Sequence, residues 1–195
     1  LKKRVIPKLL LKFKKNLENN TAILVTSFQY KHFKVIGDPI SQAKIYEAQL
    51  ADELLLLNID SLQISDNEFI LEYVKKFSLN IFMPLTVGGG ISSLKCIENL
   101  LKSGADKIII NTKAINDPQF ISQAASNFGS QSIVVSIDFK KDLDNKNKVF
   151  FNNGNINTNK DLFTWAREVE DKGAGEIVLT DIDKDGSGKG LNINV

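Results

Sequence analysis

Ala51-Asp-Glu-Leu-Leu-Leu-Leu-Asn-Ile-Asp60 is an aliphatic run that opens on charge and closes on polar residues. Continuous Leu, without alternation, is how a parallel strand covered on both faces reads. The pattern returns as Ala174-Gly-Glu-Ile-Val-Leu-Thr-Asp-Ile-Asp183, an offset of 123 residues (60 to 183). Val5 to Lys12 likewise lies against Ile133 to Lys140, an offset of 128 (12 to 140). Two matches in the same order predict that a block of several strand–helix units has been duplicated. Strand one then corresponds to strand five, and strand two to strand six.

Working outward, six such strands are expected: Arg4 to Leu11, Glu53 to Ile59, Ile81 to Val87, Lys107 to Ile110, Ser132 to Asp138 and Glu176 to Thr180. Amphipathic segments alternate with them. Pro39 to Leu50 follows Asp38, an N-cap with Pro at the first helical position. Asn67 to Phe77, Ser92 to Ser103, Asp117-Pro118 to about Phe128, and Lys160 to Lys172 show apolar residues at helical spacing. Strands alternating with helices specify α/β architecture with a parallel sheet. Two long connections, Phe13 to Gly37 and Lys140 to Asn159, follow strand C-terminal ends and read as mobile loops or lids; Val149 to Phe151 fits a small hairpin arm. Under the duplication, counterparts of Thr86-Val-Gly-Gly-Gly90 and Asn111-Thr112 belong after Val195, so residues 1–195 are expected to form one incomplete domain of about six of eight units. Six units would leave open sheet edges and a core inviting association.

Composition agrees with a globular domain: 195 residues, 43% hydrophobic and 25% charged. The net charge of +2 is scattered, and Lys2-Lys3-Arg4 and Lys12 to Lys15 are too short for a nucleic-acid footprint. Cys96 is single and cannot form an internal disulfide, which makes a reducing, cytoplasmic location the default. No signal peptide or membrane-spanning run is read.

Chemistry concentrates at the strand C-terminal ends. Gly88, Gly89 and Gly90 end a strand just before a helix, where backbone amides and the helix N-terminus suit a phosphate; a tight turn needing positive φ is the plainer alternative. Asn111 and Thr112 could add donors. Asp138 closes strand five as a carboxylate among aliphatic residues, a general acid/base candidate, unless it merely pairs with Lys140 or Lys141. Asp183, Asp185 and Gly186 follow strand six and read as a substrate-binding loop. Its spacing from Asp181 resembles a calcium loop only until Asn192, where a Glu is needed, so no metal or other cofactor is expected. At the opposite strand ends, Arg4, Glu53, Lys107 and Glu176 form a set of two bases and two acids fit for a salt-bridge plug. His32 reads as a surface histidine, Cys96 as core, and Trp165 as a helix–sheet packing residue.

Taken together, Gly37-Asp-Pro39, Thr86-Val-Gly-Gly-Gly90, Gly104-Ala-Asp-Lys-Ile-Ile-Ile-Asn-Thr112, Phe128-Gly-Ser-Gln131, Ile137-Asp138, Gly173-Ala-Gly-Glu176 and Asp183-Lys-Asp-Gly186 resemble the cyclase subunit of imidazole glycerol phosphate synthase, over nearly the whole chain. The resemblance implies a (β/α)8 TIM barrel of two half-barrels, each with a phosphate site for a doubly phosphorylated substrate. It also implies a glutaminase partner on the bottom face and ammonia passing a gate of Arg4, Glu53, Lys107 and Glu176. The family's strand-one catalytic Asp aligns with Leu10, its loop lysine with Thr26, and its strand-two Asp with Asn58. Leu-Leu-Leu-Lys and Gly-Asp-Pro-Ile look like the paralogues that serve surface-polysaccharide synthesis, implying ammonia for acetamidino sugars and a sugar amidotransferase partner. A conventional histidine-pathway cyclase and a non-catalytic phosphate-binding barrel are the other expectations.

Overall fold

The computed structural model describes residues 3–14, 21–60, 68–142, 144–193 and 195. Asn67, the expected start of the second helix, lies outside them, as do residues 15–20 of the first long connection. The chain divides into two compact units, residues 1–26 with 35–109 and residues 27–34 with 110–195.

In the first unit β1 (Lys8–Lys14) pairs antiparallel with β2 (Thr21–Phe28) and parallel with β4 (Leu54–Asn58). β4 pairs with β5 (Leu85–Gly88), and β5 with β6 (Lys107–Ile110), all parallel. β3 (Lys31–Gly37) follows β2 through the two residues Gln29 and Tyr30, and residues 27–34 of this hairpin belong to the second unit. The helices are α1 (Pro39–Ala48), α2 (Glu68–Ser78) and α3 (Leu94–Lys102). α2 buries Ile70, Tyr73, Val74 and Phe77, spaced three and four apart as one helical face requires. Phe13, Phe69, Tyr73 and Phe77 stack as edge-on and tilted rings with centroids 5.3 to 6.2 Å apart.

In the second unit β7 (Ile133–Lys141) pairs parallel with β10 (Glu176–Asp181) and antiparallel with β8 (Asn147–Phe151), which pairs with β9 (Ile156–Asp161). Its helices are α4 (Thr112–Asn116), α5 (Gln119–Phe128) and α6 (Leu162–Asp171). α6 buries Leu162, Trp165 and Val169.

The internal repeat is visible as register. Lys8, Leu10 and Leu11 face Leu55, Leu57 and Asn58 across β1 and β4. Ser136, Asp138 and Phe139 face Val178, Thr180 and Asp181 across β7 and β10. Offsets of 128 and 123 carry each first-unit pair onto a second-unit pair. The insertions agree as well: each leading strand turns into a hairpin, and each hairpin leads to a helix capped by Asp. Asp38 accepts from the Ser41 amide at 2.7 Å, and Asp161 from the amides of Phe163 and Thr164, both at 3.0 Å.

Several boundaries differ from the sequence expectation. Strand one begins at Lys8, not Arg4, because Pro7 has no amide to give a ladder and only its carbonyl is used, by Leu55. The connection from Phe13 to Gly37 contains the β2–β3 hairpin in place of a long loop. β7 runs three residues past Asp138, since β8 pairs with that extension. Val149 to Phe151 does lie in a hairpin arm, but the arm reaches Asp161, so α6 starts at Leu162 and not at Lys160. A short α4 precedes Asp117-Pro118, where proline ends it and α5 restarts.

Candidate functional site

Asp138 is 7% exposed near the C-terminal end of the parallel part of β7. Neutral donors surround it. The Tyr30 hydroxyl donates to Oδ1 at 2.8 Å, Asn111 Nδ2 donates to Oδ2 at 2.7 Å, and Ser136 Oγ lies 3.3 Å from Oδ1. A carboxylate removed from water needs such donors to stay ionised. Lys140, one alternative partner, sends its ammonium to the Gly154 carbonyl at 2.8 Å and over the Phe150 ring at 4.3 Å. The Tyr30 phenol is held far above its ordinary pKa, first by burial and then by the Asp138 charge; Thr180 bonds the same phenol and acts in the opposite direction. Tyr30 is therefore a proton donor toward Asp138 throughout the physiological range. Asn111, read from the sequence as a phosphate donor, gives an amide hydrogen to Asp138, and its buried Oδ1 accepts no hydrogen bond from the described residues.

The loop after β10 meets the hairpin tip. The Gln29 amide donates to the Asp185 carbonyl at 2.9 Å, and Gln29 Nε2 to the Asp183 carbonyl at 2.8 Å. Ser27 Oγ donates to Asp185 Oδ2 at 2.8 Å, and Gly186 lies against the Ser27 backbone. Asn192 Nδ2 donates to Asp181 Oδ2 at 2.8 Å.

In the first unit Gly88 ends β5 and Gly89 and Gly90 turn with φ of +94° and +79°. A Cβ on Gly89 would run into the Asn58 carbonyl, so glycine is required by the left-handed backbone and by the close approach of β4. The turn requirement is met, and Gly90 lies three residues before Ser93. That residue caps α3 by accepting from the Cys96 amide at 3.2 Å. Asn58 is 7% exposed and its Oδ1 accepts from the Asp60 amide at 3.0 Å. Thr26 and Thr112 are exposed, and Leu10 is half-buried.

At the other strand ends Glu53, 4% exposed, gathers Arg4 Nη1 at 3.1 Å, Lys107 Nζ at 2.8 Å and Thr86 Oγ1 at 2.5 Å. Three of the four expected charges thus form one cluster inside the first unit. Glu176 begins β10 in the second unit. His32 is exposed, Cys96 is buried, and Trp165 is fully buried under Lys160, whose ammonium stands 3.9 Å from the ring centroid.

A sequence profile of the family described as "Histidine biosynthesis protein" matches residues 16–195. A protein of Prochlorococcus marinus, provisionally named imidazole glycerol phosphate synthase subunit hisF2, is 43% identical over 195 residues, all of this chain and 74% of its own length. The chain belongs to the histidine biosynthesis protein family. Within it, the imidazole glycerol phosphate synthase subunit HisF of Campylobacter concisus is 47% identical over 159 residues, 82% of this chain and 62% of that protein. The HisF subunit of Hydrogenobaculum sp. is 43% identical over all 195 residues, 74% of its own length. Membership of this HisF-type family agrees with the βα units and gives the fold class, the (β/α)8 barrel. No helix among the described residues is long and apolar enough to cross a membrane.

Tyr30 and Thr180 join Asp138 without any sequence signal. An aromatic residue in a long connection carries no chemistry in its spacing, and the only available hint was that Thr180 aligns with Leu57 in the repeat.

Proposed function

We propose that this chain is the synthase subunit of an imidazole glycerol phosphate synthase-type glutamine amidotransferase pair, specialised to deliver ammonia to a phosphorylated acceptor. The observation that carries the specialised reading is Leu10, which holds in the β1–β4 ladder the register position that Asp138 holds in β7–β10. Leucine can neither take nor give a proton, and loss of a general acid/base costs about 10²- to 10⁴-fold. The charge cluster at Glu53 would serve an ammonia gate toward a glutaminase on the face where the strands begin. In the first unit Gly88, Gly89 and Gly90 would cradle a phosphate; in the second, Thr112 would serve phosphate binding, and Asp138, Asp183, Asp185 and Gly186 would contact the acceptor. Synthesis of acetamidino sugars for a surface polysaccharide, with a sugar amidotransferase as second partner in the cytoplasm, fits a subunit that keeps the ammonia path and loses a carboxylate.

The test is co-purification with a glutaminase and assay of the complex with glutamine and the formimino-ribulosyl substrate of the histidine pathway. Glutamine hydrolysis is expected, with imidazole glycerol phosphate formed at least about 100-fold below a conventional cyclase. Turnover within about tenfold of that enzyme overturns the specialised role and leaves the conventional cyclase. The retained Asp138, with its three donors, is the observation favouring that second reading.

A further inference from the structure

We propose that Tyr30 is a positioning residue for Asp138, with its phenol donating to the carboxylate so as to hold it ionised and oriented. This role rests on the reading of Asp138 as the proton-handling group of the site.

Three observations besides the hydrogen bond carry it. First, Gln29 and Tyr30 form the two-residue turn between β2 and β3 with φ of +51° and +60°. Two left-handed residues in such a turn normally call for Asn-Gly, and bulky side chains there are strained. Strain of this kind persists where the surroundings hold it, and it collects at functional sites. Here both side chains are used: Gln29 bonds the Asp183 carbonyl and Tyr30 bonds Asp138.

Second, the Tyr30 ring occupies a fitted slot. Gly154, in the β8–β9 turn with φ of +72°, lies against it. A Cβ added there would stand 3.5 Å from Tyr30 Cδ2 and 2.9 Å from Ile182 Cδ1. A side chain at that position would press on the groups that seat the phenol.

Third, Thr180, the residue opposite Asp138 in the β10 ladder, acts on the same phenol and offsets part of the upward shift in its pKa. The result is a chain of neutral groups, Thr180 to Tyr30 to Asp138, with Asn111 on the far carboxylate oxygen. Charged groups stand on the elements packed against it, among them Asp185 and Lys140. Asp185, on the loop after β10, acts on the phenol, and Lys140 is held by the Gly154 carbonyl and the Phe150 ring. In the first unit the equivalent position is Leu10, which gives a phenol nothing to donate to.

The test follows the Asp138 side-chain carboxyl of the full chain by 13C NMR across pH, with no ligand and no turnover needed. In Tyr30→Phe the ring remains and the donor is lost. Its titration midpoint is expected to rise by about one pH unit or more, because a hydrogen bond to the charged form has been removed. Site-specific 3-fluorotyrosine at position 30, a more acidic phenol and so a stronger donor, is expected to lower the midpoint. This second variant keeps the test decisive if the Phe variant does not fold. Shifts of opposite sign support the positioning role. An unchanged midpoint, or shifts of the same sign, means that Tyr30 only fills its slot and overturns the proposal. Neither outcome touches the synthase reading, which stands or falls on turnover by the complex.

Discussion

Leu10 and Asp138 are register equivalents: Leu10 stands opposite Leu57 in β4 and Asp138 opposite Thr180 in β10, and offsets of 128 and 123 residues carry the first pair onto the second. The two ladders are otherwise alike, each continuing into a hairpin and then an Asp-capped helix. A duplicated scaffold has therefore kept its geometry in both copies and its carboxylate in one.

Leu10→Asp should restore a second carboxylate at that position. If the surroundings remain competent, ammonia-dependent formation of imidazole glycerol phosphate should rise by about 10²-fold or more. Leu10 is half-buried, so the new charge should cost about 1 to 3 kcal/mol of stability, measured by urea denaturation. No gain in product from a folded variant would show that the missing carboxylate is not what limits the reaction.

Glu53→Gln should be among the most destabilising single changes in the first unit. It removes the carboxylate that binds both Arg4 and Lys107, and the Lys107 side chain is only 16% exposed. Breaking a buried pair from one side costs about 3 kcal/mol. Arg4→Met should cost under about 1 kcal/mol, because the Arg4 side chain is 44% exposed. Equal losses in the two variants would place the energetic centre of the cluster elsewhere.

Gly89→Ala should lose phosphate affinity by more than tenfold, read by calorimetry with inorganic phosphate or glycerol phosphate. A methyl group there meets the Asn58 carbonyl, and the left-handed backbone is strained for alanine. An alanine variant that binds phosphate as the parent does would separate the glycine turn from ligand binding.

Asp161→Ala should cost about 1 kcal/mol at neutral pH through loss of the α6 cap. The Thr164 amide, first among the donors to this carboxylate, holds its pKa below the usual value. A depressed folded-state pKa stabilises the fold above the ordinary carboxylate range, and that contribution fades as pH falls through the folded value. The penalty should accordingly shrink between pH 5 and about pH 3, within the acid range where carboxylates titrate. A penalty independent of pH would assign the cap's value to packing of Leu162 and Phe163.

Much of this was legible because strand periodicity and the repeat depend on local chemistry. The offsets of 128 and 123 residues imply the observed ladder registers, and Asp38-Pro39 announces the start of α1. The β2–β3 hairpin was hidden because its turn is Gln29-Tyr30, without the Gly or Asn that usually marks positive φ. The Asp138 cluster was half legible. A carboxylate in an aliphatic strand stands out, whereas Tyr30 lies more than a hundred residues away and joins it only through tertiary packing. The charge cluster was legible as residue types, but the choice of Glu53 as its hub depends on the burial of β4.

Trp165 is the chain's one tryptophan and Cys96 its one cysteine. The first is sealed in α6 of the second unit beneath the Lys160 ammonium, and the second is enclosed in α3 of the first. Nature has thus left one spectroscopic reporter in each half. Indole emission follows loosening of the second unit, and thiol labelling times the opening of the first. The two can be watched in a single sample of the unaltered chain, so whether the duplicated halves melt together or in turn is open to direct observation.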